Sequence, residues 1–167
     1  RHCIDWEVTG EEFKKQYFDL NKTFNPIRFE PEKWADIAKA AGTKYLLFTT
    51  KHHDGFCMWD TKYSDYKITA EDCPYHTNHY ADICAHLFES FRKRDLGVIA
   101  YFSKADWHVD SYWSENYERG SYQHRGPSYD PKEYPEEWER FVNFTQNQIM
   151  ELGSRYGQID GMWFDAG

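Results

Sequence analysis

The chain has 167 residues, enough for one domain with a core, and a formal net charge of −8 from 20 Lys and Arg against 28 Asp and Glu. No basic stripe stands out, which argues against a nucleic-acid partner. No apolar run reaches the roughly 18 residues of a membrane-spanning helix, so no membrane partner is expected.

The first ten residues have no clear periodicity. Glu11–Leu20 reads as a short helix with Phe13, Tyr17, Phe18 and Leu20 as its apolar positions and Thr9 as a candidate cap. Asn25-Pro26 breaks the chain before a second helix, Glu32–Ala41. There Trp34, Ile37, Ala38 and Ala41 recur at helical spacing and are expected to face the core, with Pro31 in the first turn and Gly42 just past the end. A strand follows from Tyr45, apolar and aromatic, ending abruptly in Lys51-His-His-Asp-Gly55. Lys, His, His and Asp together read as too polar for a core, so this end is read as a site. The plainer alternative is an Asp-Gly turn with one histidine in the core.

Asp60–Asn78 reads as a long polar loop, and His79–Arg94 as a helix through Tyr80, Ile83, Leu87 and Phe91. Its basic end, Arg92-Lys-Arg94, suits a helix C-terminus. Gly97–Ser103 is a second strand and Lys104–Tyr134 a second long loop. Pro135–Tyr156 is the longest helix, with Trp138, Phe141, Val142, Thr145, Ile149 and Leu152 in register and Gly157 as its stop. Ile159–Asp165 is the third strand.

Helices alternating with strands near residues 45, 97 and 159 imply a parallel sheet with right-handed crossovers. Three such strands do not close a barrel and leave edges unpaired. The fold expected is therefore α/β, about three βα units of a (β/α)8 TIM-like barrel, with residues 1–167 one piece truncated at both ends. No signal-peptide pattern is read, and a chain opening on Arg1 is expected to have its natural start upstream.

The strand ends supply the chemistry, because in parallel α/β sheets that rim carries the site. The first gives His52 and His53, the second Tyr101, Ser103, Lys104 and Asp106, the third Asp165. Two strand spacings would put Asp165 roughly 10 Å from the histidine pair, with room for a sugar ring between. Asp165 is a candidate nucleophile or base, or else a cap on a following helix. His52 and His53 reach one ligand only if the strand ends at Lys51, since adjacent strand residues face opposite ways. Asp54 reads as a turn residue and Tyr101 as core unless its hydroxyl lies at the rim. Trp107, His108 and Trp113 either wall a sugar site or pin a loop; rings, 19% of the chain, stack on the apolar faces of sugars. His52/His53 at i, i+1 and His76/His79 at i, i+3 do not share a strand face with a carboxylate, so no metal and no cofactor is expected. Cys3, Cys57, Cys73 and Cys84 lack Cys-x-x-Cys spacing and form neither a zinc signature nor a dense disulfide framework. Asn21-Lys-Thr and Asn143-Phe-Thr match the glycosylation pattern.

The run Lys51-His-His-Asp-Gly-Phe-Cys-Met-Trp-Asp-Thr-Lys-Tyr-Ser-Asp-Tyr66, followed by Gly97–Ser103 and Gly161-Met-Trp-Phe-Asp165, resembles the retaining α-L-fucosidases of glycoside hydrolase family 29. The resemblance implies a barrel glycosidase that acts on fucosylated oligosaccharides or glycoconjugates by double displacement. It implies that Asp165 is the nucleophile, that His52 and His53 bind fucose hydroxyls, and that Tyr101 lies in the fucose pocket; Trp107 is added to the substrate-binding residues as the sugar-stacking ring. It further implies a secreted or periplasmic protein, lysosomal in a eukaryote. In many members a glutamate from a later strand or loop is the acid/base, and a pocket arginine comes from the same part. This chain alone is therefore expected not to turn over, unless Asp106 or Glu115 serves as acid. Asp5-Trp6-Glu7 resembles an aromatic-acidic pair near the pocket and is assigned no role. A non-catalytic carbohydrate-binding barrel and a metal-dependent barrel hydrolase are the alternatives.

Overall fold

A computed structural model describes residues 11–113 and 126–165. Thr9, the Asp5-Trp6-Glu7 run and Glu115 lie outside the described residues. The order is α1 (Glu11–Phe18), α2 (Pro31–Ala40), β1 (Tyr45–Lys51), α3 (Ile83–Arg92), β2 (Gly97–Ser103), α4 (Pro135–Arg155) and β3 (Gly161–Asp165). Short 3-10 helices cover Asp19–Thr23 and Pro74–Thr77. The three strands pair in parallel in the order β1-β2-β3, as the alternation of elements predicts.

Local chemistry sets the ends. Pro31 opens α2, where a missing N–H costs nothing, and Gly42 follows it at φ 77°, a conformation that favours glycine. Asp82 caps α3 by accepting from the Ala85 N–H at 3.0 Å, so the helix starts at Ile83, four residues later than the expected His79. Gly157 closes α4 at φ 72°.

Helices α2, α3 and α4 pack on one side of the sheet, while Phe13, Tyr17 and Phe18 of α1 pack in a second cluster with Trp107 and Trp113. Val98, Ala100 and Phe102 of β2 point to that side and pack with Ile83, Leu87, Phe88 and Leu152 in the main core. The Asp60–Asn78 segment is irregular, yet Tyr66, Ile68, Cys73 and Tyr75 in it are buried. Trp59 donates its indole N–H to Glu151 at 2.9 Å, and Glu151 also accepts from the Lys62 N–H and from Arg155. A buried carboxylate on α4 thus pins that loop.

The other face of the sheet is bare among the described residues. Tyr45, Leu47 and Trp163 are exposed there. The apolar face of α2 also differs from expectation: Trp34 is 48% exposed and Ile37 61%, while Ala35 is fully buried. The helix turns Ala35 to the core, with Ala38 partly buried beside it. On α4, Phe141, Thr145 and Leu152 are buried as the spacing predicts, Trp138 is half-exposed, and the polar Gln148 and Glu151 are buried with them.

Candidate active site

The site begins with a break in β1. Thr49 pairs with Tyr101 but Lys51 pairs with Phe102, so one extra residue enters the strand at Thr50. The bulge puts both Thr50 and Lys51 in the interior. Lys51 is the correction to the polar-cluster reading, since its side chain is wholly buried. Its Nζ pairs with Asp106 at 2.9 Å, donates to Gln148 at 2.9 Å, and lies over the rings of Phe102 and Phe144. A buried ammonium is tolerated only with such partners. Asp106 also accepts from the N–H groups of His108 and Val109, so it is a structural carboxylate rather than an available acid.

The strand ends at Lys51, the condition under which both histidines reach one site. Gly55 donates its N–H to the His52 carbonyl and stands at φ 83°. A Cβ there would lie 2.5 Å from Asp106 Oδ1, so glycine is required on two grounds. Asp54 accepts from the Phe56 N–H at 3.0 Å, the turn role expected of it. Burial pushes its carboxyl above the usual range, against the hydrogen bond from Phe56 and the nearby His52.

Asp165 ends β3 beside Ser103, its register partner on β2. The Tyr101 hydroxyl donates to Asp165 Oδ2 at 2.5 Å, and His53 Nε2 lies 3.8 Å from the same oxygen. Burial and then the Asp165 carboxylate push the Tyr101 phenol well above its ordinary value, so it keeps its proton and remains a donor. His52 stacks over Tyr101 with centroids 5.9 Å apart and planes 7° from parallel, and lies 4.3 Å from the His53 ring. The expected separation of roughly 10 Å is thus a backbone distance. The side chains lean across the end of β2 and close it, leaving no room for a sugar between His53 and Asp165. A ligand has to sit over the group.

His52, His53 and Asp165 offer ligand atoms within 4.8 Å of one another, a set the i, i+1 spacing did not suggest. Donor atoms around tetrahedral zinc are about 3.3 Å apart, so this set has to contract before it could hold that ion.

Trp107 is 3% exposed and lies tilted at 57° against the His53 ring, centroids 5.1 Å apart, held by its backbone N–H donating to the His53 carbonyl at 2.7 Å. It backs the histidine instead of presenting a face. Trp113 packs on Trp107, and His108 stacks on Tyr66 at 4.2 Å with its proton affinity lowered by burial, so these rings pin the loop. The sequence reading gives one rim residue, Trp163, no role and places Ser103 on the rim without a partner. Trp163, two before Asp165 and therefore on the same strand face, is 56% exposed and pairs in register with Tyr101. Ser103 is buried against the His53 ring. The period of two marks Trp163; the strand end marks Ser103, but nothing in the sequence marks its contact with His53.

A carboxylate held by a phenol, two imidazoles beside it and an open aromatic on the same rim define a polar ligand site at the carboxyl ends of a parallel α/β sheet, the usual enzyme arrangement. The α-L-fucosidase family model matches residues 5–167, and the chain belongs to that family. It is 30% identical over 143 residues to α-L-fucosidase 1 of Arabidopsis thaliana, covering 86% of this chain and 23% of the relative. It is 30% identical over 152 residues to the plasma α-L-fucosidase of Homo sapiens, covering 90% of this chain and 28% of the relative. Among solved structures, it superposes with TM-score 0.75 and 33% identity on a GH29 α-L-fucosidase of Bacteroides thetaiotaomicron, trapped as a covalent intermediate with 2-fluoro-fucosyl fluoride in a Glu-to-Gln mutant. That match covers 97% of this chain and 32% of the other. An α-L-fucosidase of Lactobacillus casei in complex with α-L-fucose matches at TM-score 0.73 and 31% identity, over 99% of this chain and 50% of the other. The chain spans about a quarter of the length of these curated relatives.

Proposed function

We propose that the full-length protein is a retaining α-L-fucosidase that releases fucose from fucosylated oligosaccharides or glycoconjugates. The observation that carries this reading is the shared oxygen of Asp165, hydrogen-bonded by Tyr101 and faced by His53, in a chain of the α-L-fucosidase family. Asp165 attacks the anomeric carbon as the leaving oxygen takes a proton, and water then releases the sugar with retention. The relative trapped as a covalent fucosyl intermediate supports this double displacement. Its Glu-to-Gln change supports a glutamate as the acid/base partner, about 5–5.5 Å from the nucleophile. Asp106 is unsuited to that role, because it is committed to Lys51 in the interior. The acid/base is assigned outside the described residues, and residues 1–167 alone are predicted not to turn over. His52 and His53 bind sugar hydroxyls, Tyr101 orients the nucleophile, and Trp163 stacks on the sugar. Trp107 supports His53 from behind. Residues 1–167 form part of a (β/α)8 barrel, a reading supported by three parallel βα units and a bare inner face. Family membership supports a secreted, periplasmic or lysosomal location.

The test is hydrolysis of para-nitrophenyl α-L-fucoside by the full-length protein and its Asp165→Gly variant. The variant should lose roughly a thousand-fold or more in kcat and recover part of it with azide. Activity that survives the change moves the nucleophile elsewhere. Fucose binding without turnover in the unaltered protein favours a carbohydrate-binding module.

A further inference from the structure

We propose that Ser103 is a positioning residue that fixes the ring tautomer of His53, with the proton on Nδ1 and Nε2 turned to Asp165. The argument is a count of protons. Ser103 Oγ contacts His53 Nδ1 and lies 2.8 Å from the Ala105 carbonyl oxygen. A hydroxyl has one proton, and a carbonyl only accepts. When Ser103 donates to Ala105, its oxygen is left to accept, so Nδ1 must carry a hydrogen and donate it. The reverse arrangement turns the hydroxyl to Nδ1 and takes it from the Ala105 carbonyl, in a residue only 3% exposed. Removing a partner from a buried acceptor is penalised. Ser103 is itself fully buried, so water does not compete for its hydroxyl.

Two further contacts fix where the ring points, and against the pull of the Asp165 carboxylate for a proton on Nε2 stands the shorter, buried contact at Nδ1. Trp107 backs His53 and binds its carbonyl, which holds the backbone while Ser103 holds Nδ1. With both restraints in place, Nε2 faces Asp165 Oδ2 at 3.8 Å. Nε2 is therefore the atom at which His53 gains or loses a proton, on the side where ligand sits. When neutral it accepts from a sugar hydroxyl over the group; the opposite tautomer would present an N–H there instead. One hydrogen bond behind the ring decides which of these the ligand meets.

The experiment is a two-bond proton–nitrogen correlation on full-length protein with isotope-labelled histidine, the His53 ring being assigned by its loss in His53→Gln. The neutral ring should show its proton on Nδ1. Ser103→Ala should shift the proton toward Nε2, and Ser103→Thr, which keeps the hydroxyl, should hold it on Nδ1. Kinetically, Ser103→Ala should raise KM for para-nitrophenyl α-L-fucoside roughly ten-fold with a smaller change in kcat, restored by Ser103→Thr. This arm alone rests on the fucosidase reading. A proton on Nε2 in the unaltered protein overturns the proposal, as does a tautomer that Ser103→Ala leaves in place. If Ser103→Ala does not fold, the unaltered protein decides. An Nδ1 proton in a protein without fucosidase activity keeps the proposal and discards the enzymatic reading.

Discussion

Asp165 is at once a nucleophile candidate and an acceptor, and the two roles meet at one oxygen. Tyr101 donates to that oxygen from the neighbouring strand. Because its phenol is held well above its ordinary value, it stays a donor across the neutral and mildly alkaline range. On the proposed reading, such a bond orients the carboxylate and moderates its charge until a sugar binds. Tyr101→Phe should lower kcat/KM on para-nitrophenyl α-L-fucoside roughly 10–100-fold while leaving the thermal midpoint nearly unchanged. Equal kinetics in the two proteins would remove Tyr101 from the machinery. At this scale the sequence was informative about identity and poor on distance. Two histidines, a tyrosine and an aspartate at successive strand ends are legible, because strand ends of a parallel sheet share a rim. Their closure to 3.8 Å is not legible, because it depends on the lean of each side chain across the end of β2.

At the scale of elements, the bulge in β1 matters most. Without it, strict alternation would send Lys51 to the open face and His52 behind the sheet. The extra residue returns Lys51 to the interior and frees the next two positions for the site. Lys51 then ties three elements, since Asp106 lies past the end of β2 and Gln148 on α4. Lys51→Met should destabilise the protein by about 3–5 kcal/mol in urea denaturation, because it strands a buried carboxylate. Adding Asp106→Leu should recover part of that loss, since both charges then leave the interior together. A double variant as unstable as the sum of its parts would show that the pair is not coupled. The charged Lys51 reads as a site residue in the sequence, because its partners Asp106 and Gln148 lie 55 and 97 positions away.

On the scale of the whole molecule, one sheet face carries the core and the carboxyl rim of the strands carries the candidate site. Among the described residues, Cys57, Cys73 and Cys84 are free thiols buried in the core. Burial pushes the Cys57 and Cys84 thiols far above the ordinary value of 9.0. The folded protein thus holds these protons to higher pH than the unfolded chain does. Their contribution to stability is undiminished below pH 9.0 and falls as pH rises through that value, by about 1.4 kcal/mol per thiol per pH unit. Urea midpoints between pH 8 and 10 should decline above about pH 9, and Cys57→Ala with Cys84→Ala should flatten that decline. A midpoint with the same slope in both proteins would locate the alkaline sensitivity elsewhere.

The sequence by itself determined the parallel α/β order, the three strand positions and the rim residues His52, His53, Tyr101 and Asp165. These follow from local periodicity and from topology, which act between near neighbours in the chain or on whole elements. The burial of Lys51, the exposure of Trp34 and Ile37, the support of His53 by Trp107 and the grip of Ser103 on its ring were decided only by the tertiary structure. Each is a contact between distant positions. Its outcome turns on which polar atoms can be satisfied inside and which faces the other elements cover, and that information exists only once the elements are packed.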